Sequence, residues 1–214
     1  MTQPAILRKL VIFGVPLVLG LIETAHPALW PNDPIFPIVH AIATWWTVLH
    51  VLQVPLFALL GFAVLFLIEE LKSPFATISR YSIILFIVVY PAFDAAVGIS
   101  SGLICRKWSA ADGPLIEGAL QEIFWGPVTG TMAMIGSGAW LIALVCAAVA
   151  LRKSGASVAV AVALALSGIL LAISHVRPFG PLACLCFLVA AVLSEMHGRE
   201  RGRAASVGCE GTIG

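Results

Sequence analysis

What this 214-residue chain lacks most is charge: Asp, Glu, Lys and Arg together make up 11% of it, where a soluble domain carries about a quarter. The deficit is uneven. Residues 34–68, 123–151, 154–176 and 178–194 contain none of the four, and residues 81–105 contain one, Asp94. Such runs exclude a soluble enzyme, and a hydrophobic share of 60% excludes a disordered chain. A net charge of +1 leaves no basic excess for nucleic acid, so no nucleic-acid partner is expected. The five cysteines form no framework. Four lie in or at the end of apolar runs, where Cys behaves as a small hydrophobe. Cys184-x-Cys186 lacks the spacing of a redox or zinc motif, since positions two apart point about 200° apart on a helix. A secreted disulfide scaffold is thereby excluded.

What is present is apolar length. A helix needs about 20 residues to cross a ~30 Å hydrocarbon core. Six segments account for the apolar runs, roughly 8–28, 39–68, 81–105, 123–150, 156–176 and 179–195. The predicted fold is all-α: a polytopic integral membrane protein with six transmembrane helices in one domain over 1–197. The last two spans are divided by Arg177-Pro-Phe-Gly-Pro, because proline interrupts a continuous helix. Residues 198–214 have little apolar content and are expected to form a disordered cytoplasmic tail.

Lysine and arginine orient the chain. Arg8, Lys9, Lys72, Arg80, Arg152, Lys153, Arg199, Arg201 and Arg203 fall on one side; Arg106, Lys107 and Arg177 fall on the other. The positive-inside rule then places both termini in the cytoplasm. Arg8-Lys9 and the following apolar run resemble the start of a secretory signal, but cleavage at Ala28 would need a small residue two positions earlier and His26 stands there, so the first span is expected to remain uncleaved. Trp30, Trp45, Trp46, Trp108 and Trp125 fall near the outer ends of spans and serve as depth markers.

Gly98-x-x-x-Gly102 and Gly126-x-x-x-Gly130 are small-residue stripes that let helix backbones approach. They predict close contact between the third and fourth spans, or alternatively a homo-oligomer or membrane-protein partner. The lipid bilayer is the one partner the composition requires.

Ionisable groups inside a span cost several kcal/mol and mark function. Glu23, His26, His50, Asp94 and His175 come from four spans. Measured from the tryptophans at 1.5 Å per residue they fall mostly in the outer half, with Asp94 near the midplane. Glu23-x-x-His26 has i, i+3 spacing, which sets both groups on one helical face, and His50-x-x-Gln53 repeats it. If the five converge they line an outward-opening pocket for a metal ion or small polar ligand, because imidazole with carboxylate suits a first-row divalent metal. The same groups suit a proton relay in a transporter or channel using Asp94 and His50. They also suit interhelical hydrogen bonds in a structural subunit packing through its GxxxG faces. Whether the protein is an enzyme stays open.

The stretch Tyr90-Pro-Ala-Phe-Asp-Ala-Ala-Val-Gly-Ile-Ser-Ser-Gly102, with the Trp46…His50…Pro55 span before it, resembles small polytopic bacterial membrane proteins of uncharacterised activity. The resemblance covers about a third of the chain and implies a bacterial inner membrane. Membrane cytochromes b pair histidines for haem, which His40 and His175 could do, though a second stacked pair is absent. Hydrolases of the alkaline ceramidase type carry His-x-x-x-His, which this chain does not have.

Overall fold

The structure is a computed structural model; it describes the backbone of residues 3–210 and side chains over 5–196. Among the described residues it is all-helical, without strands. Helix α1 runs through Gln3–Lys9, a π segment Leu10–Gly14 and Val15–Thr24. Then come α2 (Ile35–Ala41) and α3 (Ala43–Leu67). Helix α4 runs through Pro74–Asp94, a π segment Ala95–Ile99 and Ser100–Lys107. The remainder are α5 (Gly113–Trp125), α6 (Pro127–Lys153), α7 (Val158–Ile173) and α8 (Phe179–Glu210).

Five helical stretches are long and apolar enough to cross a membrane: Ala5–Thr24, Ala43–Leu67, Pro74–Lys107, Ala110–Lys153 and Phe179–Met196. The 44 residues of the fourth exceed what one crossing needs. Gly126 takes an extended conformation (ψ 164°) followed by Pro127, so the stretch is two rods, α5 and α6. Helix α7 is apolar but has only 16 residues, about 24 Å of rise. Local chemistry sets the other ends. The Ser73 and Ser157 side chains accept from the N–H groups of Ala76 and Val160, capping α4 and α7. Gly155, at φ 97°, closes α6 in a conformation glycine adopts without penalty.

Six helices form a closed ring, α1–α3–α4–α6–α7–α8 and back to α1. Its interior holds the fully buried Phe57, Phe86, Trp140 and Phe187, with Leu144 and Leu164. Two hydrogen bonds cross between helices here: Ser79 Oγ donates to the Ala143 carbonyl (2.8 Å) and Trp140 Nε1 to that of Ser167 (3.4 Å). Large apolar side chains such as Leu7, Leu21, Val88, Met134 and Ile173 point outward, as expected of helices against lipid.

One end of the ring is tied by arginine. Arg8 pairs with Glu69 (3.0 Å) and Glu195 (2.7 Å), and Arg80 Nη2 donates to the carbonyls of Ile68 and Leu71 (both 2.8 Å). The start of α1, the end of α3 and the Glu195 turn of α8 therefore lie together. At the opposite end, which carries Trp45, Trp108 and Trp125, α2 and α5 form a cap. The Glu117 carboxylate of α5 accepts from the backbone N–H groups of Ile35 and Phe36, each at 2.8 Å, at the N-terminus of α2. Gln121 Nε2 donates to Glu117 (2.8 Å) and to the Asp33 carbonyl (3.0 Å).

Burial would raise the Glu117 carboxyl, but the Phe36 and Ile35 amides and the Gln121 side chain outweigh it and hold its pKa below 4.5. A depressed carboxylate contributes stability above its ordinary value and loses it as pH falls through the folded one. The Ile35 and Phe36 amides should therefore exchange hydrogen faster as pH drops below about 4.3, once intrinsic rates are divided out. Glu117→Gln should raise their exchange about tenfold at neutral pH, the scale of losing a charged acceptor. Equal protection in variant and wild type would exclude the clamp.

Three sequence expectations change. The GxxxG stripes do not join the third and fourth spans. A Cβ on Gly98 would run into the His50 ring, and one on Gly102 into Thr47, so this stripe seats α4 on α3. The fourth-span stripe behaves differently: Gly126 abuts its own Glu122, and Gly130 meets nothing within 4 Å. Helices α4 and α6 do pack closely, but with Gly136 against Tyr90. The second span begins at Ala43 because Ile42 (φ −130°, ψ 22°) breaks the helix, leaving His40 in α2. The segment expected as a disordered tail continues α8 to Glu210; Arg and Glu are good helix formers. Residues 211–214 lie outside the described residues.

Candidate functional site

The polar side chains predicted from sequence meet at the tryptophan end. Helix α1 stops at Thr24, and the Ala25–His26 turn that follows is held by backbone bonds to Ile22 and Glu23. Glu23 and His26 thus do not share a helical face. Each instead finds a partner on α3: His26 Nε2 lies 3.3 Å from His50 Nε2, and Glu23 Oε1 accepts from Gln53 Nε2 at 2.6 Å. The i, i+3 spacing on α3 places the two contacts about one turn apart. All four side chains are buried, so Glu23 and His26 are not an exposed interfacial pair.

Both imidazoles of the first contact have their other nitrogen committed. His26 Nδ1 bonds to the Pro27 carbonyl and His50 Nδ1 to the Trp46 carbonyl, each at 2.7 Å. A carbonyl only accepts, so both Nδ1 atoms carry the hydrogen. Two neutral rings would then direct bare Nε2 lone pairs at each other across 3.3 Å. Such an arrangement calls for something positive between them. Trp46 braces the pair, its ring 4.6 Å from His50 and 5.2 Å from His26 between centroids. Its Nε1 is held by the Gly98 carbonyl (2.9 Å) and Ser101 Oγ (3.1 Å).

Beside them, His175 stands with its ring perpendicular to His26, centroids 5.2 Å apart. Its Nδ1 is 3.0 Å from Tyr90 Oη, and its Nε2 is 3.8 Å from Asp94 Oδ1. Asp94 is 2% exposed; among the described residues its Oδ2 has no hydrogen-bond partner, and neither have Glu23 Oε2 and Gln53 Oε1. His26, His50, Tyr90, Asp94 and His175 line one cavity of about 200 Å³. Its other walls are mostly apolar, from Leu29, Phe93, Val97, Phe124 and Leu171 among others, with Ser137 and Ser174. Below it Phe57, Phe86, Tyr90 and Trp140 interlock, with Phe86 4.9 Å from Trp140 and 5.1 Å from Tyr90. Among the described residues no three His, Cys, Asp or Glu side chains are drawn close enough to hold a metal ion as the site stands.

Four of the five predicted residues therefore line the cavity. Glu23 sits one layer deeper, on Gln53. His40 does not join them: its ring stacks on Phe36 (4.9 Å), and its Nδ1 bonds to the Cys105 carbonyl (2.7 Å). The cavity that holds His175 does not include it, so the two histidines do not face each other across a haem site. Two site residues escaped the sequence reading. Tyr90 lies one turn before Asp94, an i, i+4 spacing that would have placed both on one face. Trp46 was read as a depth marker, yet it is 2% exposed and hydrogen-bonded inside the bundle, unlike the exposed Trp45.

No protein family, curated protein or solved structure matches this chain. The chemistry of the cavity is therefore the basis for function.

Proposed function

We propose that this is a six-span protein of a bacterial inner membrane, with both termini cytoplasmic, that binds a divalent transition-metal ion in a pocket opening outward. The facing Nε2 atoms of His26 and His50 carry the reading. Two imidazole nitrogens on one tetrahedral ion, with metal–nitrogen bonds of about 2.0–2.1 Å, stand about 3.4 Å apart. The pair stands at 3.3 Å. The carbonyls on both Nδ1 atoms do what second-shell acceptors do in metal sites: they fix the tautomer and orient the ring. His175 and Asp94 are the nearest further donors. Topology has its own support: Arg8 on α1 and Glu195 on α8 meet at one end of the bundle, as an even number of crossings between them requires.

Purified protein should retain about one Zn²⁺ per chain after dialysis, and His50→Ala or His26→Ala should weaken retention by about tenfold to a hundredfold or more. Folded wild-type protein that remains metal-free in excess Zn²⁺ would overturn the reading. A proton relay through Tyr90, His175 and Asp94 is the second reading, favoured by their 3.0 and 3.8 Å spacings. The aromatic layer beneath the cavity stands in its way. Proton flux in liposomes, abolished by Asp94→Asn, would favour it. Unaltered function in both Asp94→Asn and His50→Ala would instead favour a structural subunit.

A further inference from the structure

We infer that the cavity also opens sideways into the acyl layer, between α4 and α6, and admits the chain of a membrane amphiphile whose carboxylate or phosphate oxygen reaches the histidine cluster. The inference rests on the metal-site reading and adds the ligand that completes it. Through Tyr90, α4 lies against Gly136 of α6. Pro91 and the π segment Ala95–Ile99 then interrupt the regular hydrogen-bond ladder of the helix, the usual places for a change of direction. Past them, Gly98 and Gly102 seat α4 on His50, Trp46 and Thr47 of α3. A wedge is left beside α6, where the cavity wall consists of the small residues Ala133 and Ser137.

Depth decides what the wedge faces. Ala133 and Ser137 are six and ten residues past Pro127, about 9 and 15 Å down α6. Both are half-buried, and the adjacent Met134 is 69% exposed. At that depth the surroundings are acyl chains, not water. Gly130, one turn above Ala133, meets nothing within 4 Å among the described residues, and Trp125 lines the upper part of the cavity. The chemistry along the way is graded. Phe93, Val97 and Ile173 line the apolar part, while Asp94 is, among the described residues, the sole carboxylate, Lys or Arg lining the cavity. Its Oδ2 is buried without a partner. A cavity of about 200 Å³ suits the polar head and first carbons of a single chain, the remainder lying in the bilayer. An ion held by two histidines has coordination positions left for such a head.

The test is photolabelling of zinc-loaded protein in phosphatidylcholine liposomes with palmitic acid carrying a diazirine on its chain. Label mapped by peptide mass spectrometry should be enriched about tenfold on Phe93, Val97, Ala133 and Ser137 over the outward-facing Ile84 and Val162. Ser137→Phe, and separately the milder Ala133→Leu, should remove that enrichment while leaving Zn²⁺ retention at the wild-type level. Labelling no greater than at Ile84 and Val162, or unchanged in both variants, would overturn the portal and leave the metal site standing. Enrichment in a protein that retains no Zn²⁺ would overturn the proposed completion of an ion's coordination.

Discussion

Gly98→Ala is expected to abolish Zn²⁺ retention and to destabilise the protein by about 3 kcal/mol, the upper range for overpacking a close contact. The added methyl would occupy the space of the His50 ring. That ring has no retreat: its Nδ1 is bonded to the Trp46 carbonyl, Trp46 lies on one side and His26 stands at its Nε2 edge. Either α3 and α4 separate or the imidazole leaves, and both break the 3.3 Å pair. Gly130→Ala is the matched control. Its methyl would meet nothing within 4 Å, and alanine favours the helix by about 1 kcal/mol, so stability should hold or rise. Thermal unfolding in detergent and bound Zn²⁺ measured on both variants decide the matter. A Gly98→Ala protein as stable and as metal-rich as wild type would refute the packing of α4 on His50.

Trp140→Ala should cost about 3–4 kcal/mol while leaving the proposed Zn²⁺ retention unchanged, since removing a buried aromatic leaves a cavity that neighbours fill only in part. The loss is mainly one of contact. Lipid tails are as apolar as the interior, so transfer out of water contributes little between these helices, and lost dispersion dominates. Trp140 is fully buried, 4.9 Å from Phe86 and 6.4 Å from Phe187 between ring centroids. Trp140→Phe retains most of that contact and loses the long Nε1 bond to Ser167, so it should cost under about 1.5 kcal/mol. Unfolding midpoints should follow the order wild type, Trp140→Phe, Trp140→Ala. A tolerated alanine would mean that the aromatic layer does not bind α4, α6 and α8 together.

The helices could be read from sequence because burial in lipid demands long uncharged runs, and proline and glycine punctuate them. Asp94, His50, His26 and His175 stood out for the same reason: few other residues could carry charge at those depths. Partnership was not readable. The Glu23-x-x-His26 spacing suggested one helical face, but the helix ends at Thr24, and each group turns to a separate partner on α3. A GxxxG stripe states that something approaches closely without stating what; here it was the ring of His50. Trp46 shows the same limit. Its adjacency to Trp45 suggested a shared interfacial role, and only the packing of α3 against α4 separates the exposed ring from the buried one.

The salt link between Arg8 and Glu195 spans 187 residues of chain. At about 5–20 residues per second of synthesis, the partner of Arg8 on α8 emerges roughly ten seconds or more after Arg8 itself. The ring is sealed by the last helix docking on the first, with Gly20 set against Cys184 and Gly180 beside Glu23. During that interval the buried carboxylate of Glu23 has Gln53 but no roof, and His26 has His50 but not His175. Until α8 docks on α1, the side of the polar cluster that His175 and Gly180 cover in the finished bundle has no cover, so α8 is the element that closes the site.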